Sequence, residues 1–259
     1  VASWYQLPDG SLDEVIAAFT LYGGPHAVNV ARMVAGDDGF LIVGNRSRGA
    51  AVWTSPDSAQ FAIHEGVPGL ASDDGTETWL FDAVATPSGW LAAGGQIRAD
   101  RIDRDPLAWT SPDGLRWTRE DVPQTDEYEE FQRVVREPGG DAVAVGLRGR
   151  TFGAWRRGDD GWAAAARFGA ASGKGVLMVR GLVATPSGLL AATGDGATHA
   201  LWHSADGGRS WRTVRLPVPT PTGAGRDVAV AAGPAGVVLV TDDGRSGRAW
   251  LAPLPLPNG

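Results

Sequence analysis

Few side chains in this sequence could carry chemistry, and their types narrow what that chemistry is. There are no cysteines, which removes thiol nucleophiles, disulfides and zinc-thiolate sites together. The four histidines, His26, His64, His199 and His203, form no metal pair on a helix, although His199 and His203 flank Trp202 on one predicted strand. No G-x-S-x-G elbow, phosphate-binding loop or dinucleotide fingerprint is present, and glycine clusters such as GGQIRAD read as turns between strands. Carboxylates and guanidinium groups remain. Asp82, Asp227 and Glu130 fall on or beside predicted inner strands, where two or three carboxylates could act as general acid and as nucleophile or base on a glycosidic bond. Arg32 and Arg133 share the register of Asp82, and Arg180 lies one position earlier. Three arginines near one axis would suit a carboxylate or phosphate, because a guanidinium fork binds such anions in bidentate fashion. Neutralisation of these arginines by Asp82 and Asp227 is the plainer use of the same residues.

The elements that position these residues follow from a repeat. Trp53, Trp109, Trp155, Trp202 and Trp250 recur at spacings of 46 to 56 residues, each after a small or apolar residue. Before each lies an apolar run: GFLIVG, GWLAAGG, DAVAVG, GLLAATG and GVVLVT. A further apolar stretch precedes each run, and a second aromatic (Phe61, Trp117, Trp162, Trp211) follows the marker tryptophan in the first four units. Short strands separated by glycine turns at this period predict an all-β fold, a five-bladed β-propeller of four-stranded antiparallel blades. The blades are expected at about 26–68, 79–123, 130–169, 176–217 and 225–257 of a single domain spanning 1–259. The fifth unit lacks its second aromatic, and SWYQLP at 3–8 reads like SWRTVRLP at 210–217. The amino-terminal segment 1–8 is therefore expected to supply the outer strand of the last blade. SLDEVIAAF at 11–19 has helical spacing and is expected as a short turn or loop leading into the first blade.

Composition sets the outer limits. The chain has 259 residues, 43% hydrophobic and 20% charged, with a net charge of -7. It is long enough to bury a sizeable core without staples. Lys174 is the sole lysine and no basic run is long enough to follow a phosphate backbone, so nucleic acid is excluded as an expected partner. No apolar stretch reaches the roughly 18 to 20 residues of a membrane span.

SADGGRSW at 204–211 fits S-x-D-x-G-x-x-W, and SPDGLRW at 111–117 and SPDSAQF at 55–61 are shorter versions of it. The aspartate can accept N–H groups of its own turn, and the aromatic then folds back to pack. In these residues the chain resembles the Asp-box (BNR repeat) β-propellers of the sialidase-like superfamily, with a degenerate copy, RGDDGW, at 157–162. The resemblance implies the fold and a ligand site on the face opposite these turns, so Asp113 and Asp206 are read as structural. It does not carry the sialidase activity. The F/Y-R-I-P motif is absent, five units replace six, and Tyr128 is the one tyrosine set among glutamates on the presumed ligand face.

That face would be built from loops between the second and third strands and from blade connections. It carries Arg46, Arg148 and RADRIDRDP at 98–106, together with ASDDGTET at 71–78. Trp79 stands outside both tryptophan series and is expected as an exposed aromatic. The leading expectation is a secreted, non-catalytic, monomeric propeller. It would bind a small anionic ligand, a glycan or a partner protein at the channel mouth through Arg32, Arg133, Arg180, Arg46, Arg148 and Trp79. The rival is a glycoside hydrolase or lyase using Asp82, Asp227 and Glu130. No cofactor and no metal site is expected; calcium at 71–78 or 98–106 is the remaining option, although neither has the D-x-D-x-D-G spacing of a dedicated loop.

Overall fold

The structure is a computed structural model that describes residues 3–172 and 175–254. Contacts group the chain into two compact units, one up to Asp121 and one from Val122 onward. The first opens with strands β1 (Ser3–Gln6) and β2 (Leu12–Val15) and a one-turn helix α1 (Phe19–Tyr22). The first sheet follows as β3 (Ala27–Gly36), β4 (Gly39–Arg46), β5 (Gly49–Ser55) and β6 (Ala62–His64). The second is β7 (Thr76–Thr86), β8 (Gly89–Arg98), β9 (Asp105–Ser111) and β10 (Thr118–Glu120).

The second unit holds three sheets. The third sheet is β11 (Glu129–Arg136), β12 (Ala142–Arg148), β13 (Thr151–Gly158) and β14 (Gly161–Phe168). The fourth is β15 (Met178–Thr185), β16 (Gly188–Gly194), β17 (His199–Ser204) and β18 (Arg212–Val214), and the fifth is β19 (Arg226–Gly233), β20 (Gly236–Asp243) and β21 (Gly247–Ala252). Every sheet is an antiparallel meander, and the chain is an all-β five-bladed propeller.

The expected outer strand of the last blade is corrected. Ser3–Gln6 pairs with Leu12–Val15, and the fifth sheet has three strands among the described residues. The reason lies in the turn between β1 and β2. Asp9 Oδ1 accepts the Ser11 N–H at 2.9 Å and its hydroxyl at 2.6 Å, and Gly10 takes the left-handed corner. A turn so well made closes a few residues locally, at far less entropy than a pairing across the chain. The segment 11–19 accordingly gives a strand and the start of a helix instead of a loop.

The second strand of each of the first four sheets is an apolar run buried on both faces, as at Leu41–Val43, Leu91–Ala93, Ala142–Val145 and Leu189–Ala192. The marker residues Trp53, Trp109 and Trp155 are fully buried against them. One cluster joins the first and second sheets through Leu41, Val52, Leu80, Trp90 and Trp109, another joins the third and fourth through Val143, Phe152, Phe168 and Val179, and a third joins the fourth and fifth through Leu190, Val228 and Leu239.

Four of the five inner strands depart from regular pairing at one shared place. Register shifts fall between Val30 and Arg32, Leu80 and Asp82, Phe131 and Arg133, and Val179 and Gly181. Each is a bulge, which bends the strand and re-aims the next side chain. At the partner strand stand Gly44, Gly94 and Gly146, where a Cβ would run into the carbonyl of Asn29, Trp79 or Glu130. Bare backbone there lets the bulged strand come close.

Candidate functional site

The bulges decide where the charged residues point. In the first unit Asp82 is 5% exposed, and its carboxylate lies 3.5 Å from Arg32 Nε and accepts the Ala83 N–H at 3.0 Å. Beside it the Asn45 amide spans three strands: it donates to Asn29 Oδ1 and to the Leu80 carbonyl, and its oxygen takes the Leu80 N–H at 2.8 Å. Asn45 thus supplies partners that a bulged ladder no longer provides.

The connection from β6 to β7 is tied to the β4–β5 hairpin. Thr78 accepts the Ala50 N–H and donates to Leu70, while the Ser72 N–H reaches the Arg48 carbonyl. Between them lies a cavity of about 380 Å3 lined by Asn45, Arg46, Ser47, Glu77 and Trp79 among others. Two residues expected as ligand contacts, Arg46 and Trp79, therefore line one cavity. The Arg46 stem is buried, and its guanidinium is anchored by Glu65 at 3.0 Å and the Gly23 carbonyl at 2.9 Å. Trp79 is half-buried instead of exposed, because the Arg104 guanidinium lies 4.2 Å from its ring centroid.

In the second unit the polar groups form a chain along the inner strands. Tyr128 donates to Glu130 at 2.9 Å, Gln132 donates to Glu130 at 2.6 Å, and the Val179 N–H donates to Gln132 Oε1 at 2.6 Å. Gln132 thereby does for Val179 what Asn45 does for Leu80. Arg133 donates to the carbonyls of Gln132 and Arg180. Arg180 Nε stands 3.3 Å from Asp227, whose carboxylate also takes the Val228 N–H at 2.7 Å. Arg148 meets the buried Glu129 at 2.6 Å. The inner arginines are thus held by their neighbours, Arg32 and Arg180 by Asp82 and Asp227 and Arg133 by carbonyl oxygens. Near Arg180, burial and then that positive charge hold His199 below the usual histidine range, against the pull of Asp227 and Asp195. His203 Nε2 donates to the Ser187 carbonyl at 3.0 Å.

Each expected catalytic carboxylate is thus engaged: Asp82 by Arg32, Glu130 by Tyr128 and Gln132, and Asp227 by Arg180. Burial pushes the carboxyl of the fully buried Asp105 up, against the pull of Arg101 at 3.5 Å and Arg98 at 3.8 Å. Asp195 and Asp243 cap their own loops by accepting N–H groups two and three residues on. Among the described residues no three acidic or histidine side chains are grouped to hold a metal ion. Of the two loops open to calcium, Asp73 in 71–78 pairs with Arg119 at 3.0 Å, and Asp105 in 98–106 is engaged as above.

At the other end of the sheets the Ser-Asp-aromatic turns have the geometry their spacing asks for. Asp113 accepts the N–H groups of Leu115 and Arg116, and Trp117 Nε1 donates back to the Gly114 carbonyl at 3.0 Å. Asp206 accepts from Ser210 and Ser204, and Trp211 Nε1 donates to Gly208 at 3.1 Å. The Arg116 N–H is foremost in lowering Asp113 to about 2. Burial pulls Asp206 up, but the hydroxyl and N–H of Ser210 outweigh it and leave the group at about 2. These aspartates are consumed by their own turns.

Sequence reasoning missed Asn45 as a staple, Gln132 and Arg104. A usable signal for Gln132 was the broken alternation of FQR, where an inner strand shows polar groups at successive positions.

No family profile matches the sequence, and no curated protein does. The fold has counterparts among solved structures. A GH43 β1,3-galactosidase solved with galactodeoxynojirimycin is 10% identical, with a TM-score of 0.57 over 98% of this chain and 94% of its own. A GH43 endo-arabinanase from Bacillus licheniformis is 10% identical, with a TM-score of 0.55 over 87% and 94%. YCF48 from Cyanidioschyzon merolae is 13% identical, with a TM-score of 0.50 over 93% and 71%. At these identities the likeness is one of fold.

Proposed function

We propose that this propeller binds a glycan, without cleaving it, in the cavity that Arg46, Glu77 and Trp79 line in the first unit. The observation that carries the reading is that cavity. Its volume of about 380 Å3 falls within the roughly 300–1,000 Å3 usual for small-ligand sites. An indole, a guanidinium and a carboxylate around one space offer an apolar face together with hydrogen-bond donors and acceptors, which is what a sugar ring presents in return. The engagement of Asp82, Glu130 and Asp227 favours binding over hydrolysis. The glycosidase reading stays as the second one, on the strength of a fold shared with GH43 enzymes. The Ser-Asp-aromatic turns are taken as Asp-box-like and structural, and an extracytoplasmic location would suit the ligand.

The test is a glycan array followed by calorimetry on any hit. Wild-type protein should bind, Trp79→Ala should weaken binding by about tenfold or more, and its melting temperature should stay near that of the wild type. Retained affinity in folded Trp79→Ala would sink the reading, as would a blank array. Release of free sugar from a bound glycoside would replace it with the glycosidase.

A further inference from the structure

We infer that Arg104 is a built-in cover on the Trp79 ring, a specificity-determining residue that a neutral sugar must displace to stack there. The inference rests on the binding reading above. Arg104 stands in the hairpin from β8 to β9, next to Asp105, whose carboxylate is fully buried. Asp105 lies 3.5 Å from Arg101 and 3.8 Å from Arg98, and the Arg101 N–H closes on the Arg98 carbonyl at 2.9 Å. The hairpin is therefore folded down onto its own sheet.

Gly95 then makes room for the arginine stem. A Cβ at that position would lie 2.5 Å from Arg104 Cδ and 2.8 Å from Cγ, so any larger residue would lift the side chain away. Gly95 is also the cross-strand partner of Trp79. A stem laid across Gly95 delivers its guanidinium to the opposite residue, and the central carbon lies 4.2 Å from the Trp79 centroid and 5.7 Å from that of Phe81.

A cation over an indole is held by the ring's negative face, by roughly 2- to 30-fold in an equilibrium constant depending on how dry the contact is. The apolar face of a sugar seeks the same surface. A neutral ring reaches Trp79 on that side only by removing the guanidinium, so its affinity carries that factor as a loss. Arg104 thereby screens out neutral sugars whose remaining contacts are weak.

The experiment compares wild type, Arg104→Ala, Arg104→Met and Trp79→Ala. Two readouts are taken: calorimetry with a panel of neutral methyl glycosides and oligosaccharides, and labelling of Trp79 by 2-hydroxy-5-nitrobenzyl bromide followed by peptide mass mapping. Arg104→Met keeps a stem over Gly95 and covers the case in which Arg104→Ala does not fold. The expected result is higher Trp79 labelling and roughly 2- to 30-fold tighter binding in the Arg104 variants. Trp79→Ala should weaken binding by about tenfold or more. Equal or weaker binding by folded Arg104 variants, with wild type still binding, overturns this inference alone. No binding by any protein overturns the glycan reading and this inference together.

Discussion

The two units meet the same structural problem with the same pair of devices, differently arranged. In the first, Asn45 on the second strand of its sheet reaches the Leu80 N–H of the neighbouring sheet. In the second, Gln132, at the bulge of the inner strand itself, reaches the equivalent Val179 N–H. The charge pair keeps its order and differs in burial. Arg32 precedes a buried Asp82, whereas Arg180 precedes an Asp227 that is 59% exposed. What is held constant is a satisfied N–H beside the bulge and a cation next to an anion on the following inner strand. Inner-strand charges here are thus first a means of joining sheets.

This comparison can be broken or sharpened, beginning with the largest effect. Trp109 is fully buried and donates to Gly69, whereas Trp250 in the fifth sheet is only half-buried. Trp109→Ala should cost about 3–5 kcal/mol in urea unfolding, and Trp250→Ala clearly less. Equal losses would mean the fifth sheet is as tightly packed as the second. Next come the amides. Gln132→Ala and Asn45→Ala should each cost about 1–3 kcal/mol, since each leaves a backbone N–H without its partner. Arg180→Ala should cost about 1 kcal/mol or less, because its partner is largely exposed. If Arg180→Ala proved the more damaging, charge and not amide bonding would be joining the second unit.

The smallest effect is one of pH. Asp113 and Asp206 titrate at about 2 in the folded protein, below the roughly 3.9 of an unfolded aspartate. Their contribution is fully present above about pH 4 and is lost as pH falls through the folded value. Melting temperature followed from pH 5 to pH 2 should therefore drop, and less steeply in Asp113→Asn and Asp206→Asn. An unchanged slope in the two variants would show that the turns do not depend on the charge. Both groups are partly exposed, so solvent screening keeps the change small.

The sheets and the turn geometry were legible because they rest on local signals: a tryptophan returning at a fixed period, glycine at the corners, and a serine and an aspartate placed to cap their own turn. The pairing of Ser3–Gln6 was not. Its likeness to 210–217 is real at the level of side chains, but strand pairing is settled by turn geometry and distance along the chain, and Asp9-Gly10-Ser11 closes a nearer partner. Of the site, Arg46 and Trp79 were legible as an arginine in a hairpin and an aromatic outside the core series. Arg104 was hidden as one of six charged residues in the run at 98–106. Only the register that sets Gly95 opposite Trp79 tells it apart from Arg98 and Arg101.

The Ser-Asp-aromatic turns satisfy their own donors and acceptors within a handful of consecutive residues and ask little of the rest of the molecule. A segment of that kind can be duplicated with its sheet and still work wherever the copy lands. The same turn, closed by its own residues, accordingly serves three different sheets, at 55–61, 111–117 and 204–211.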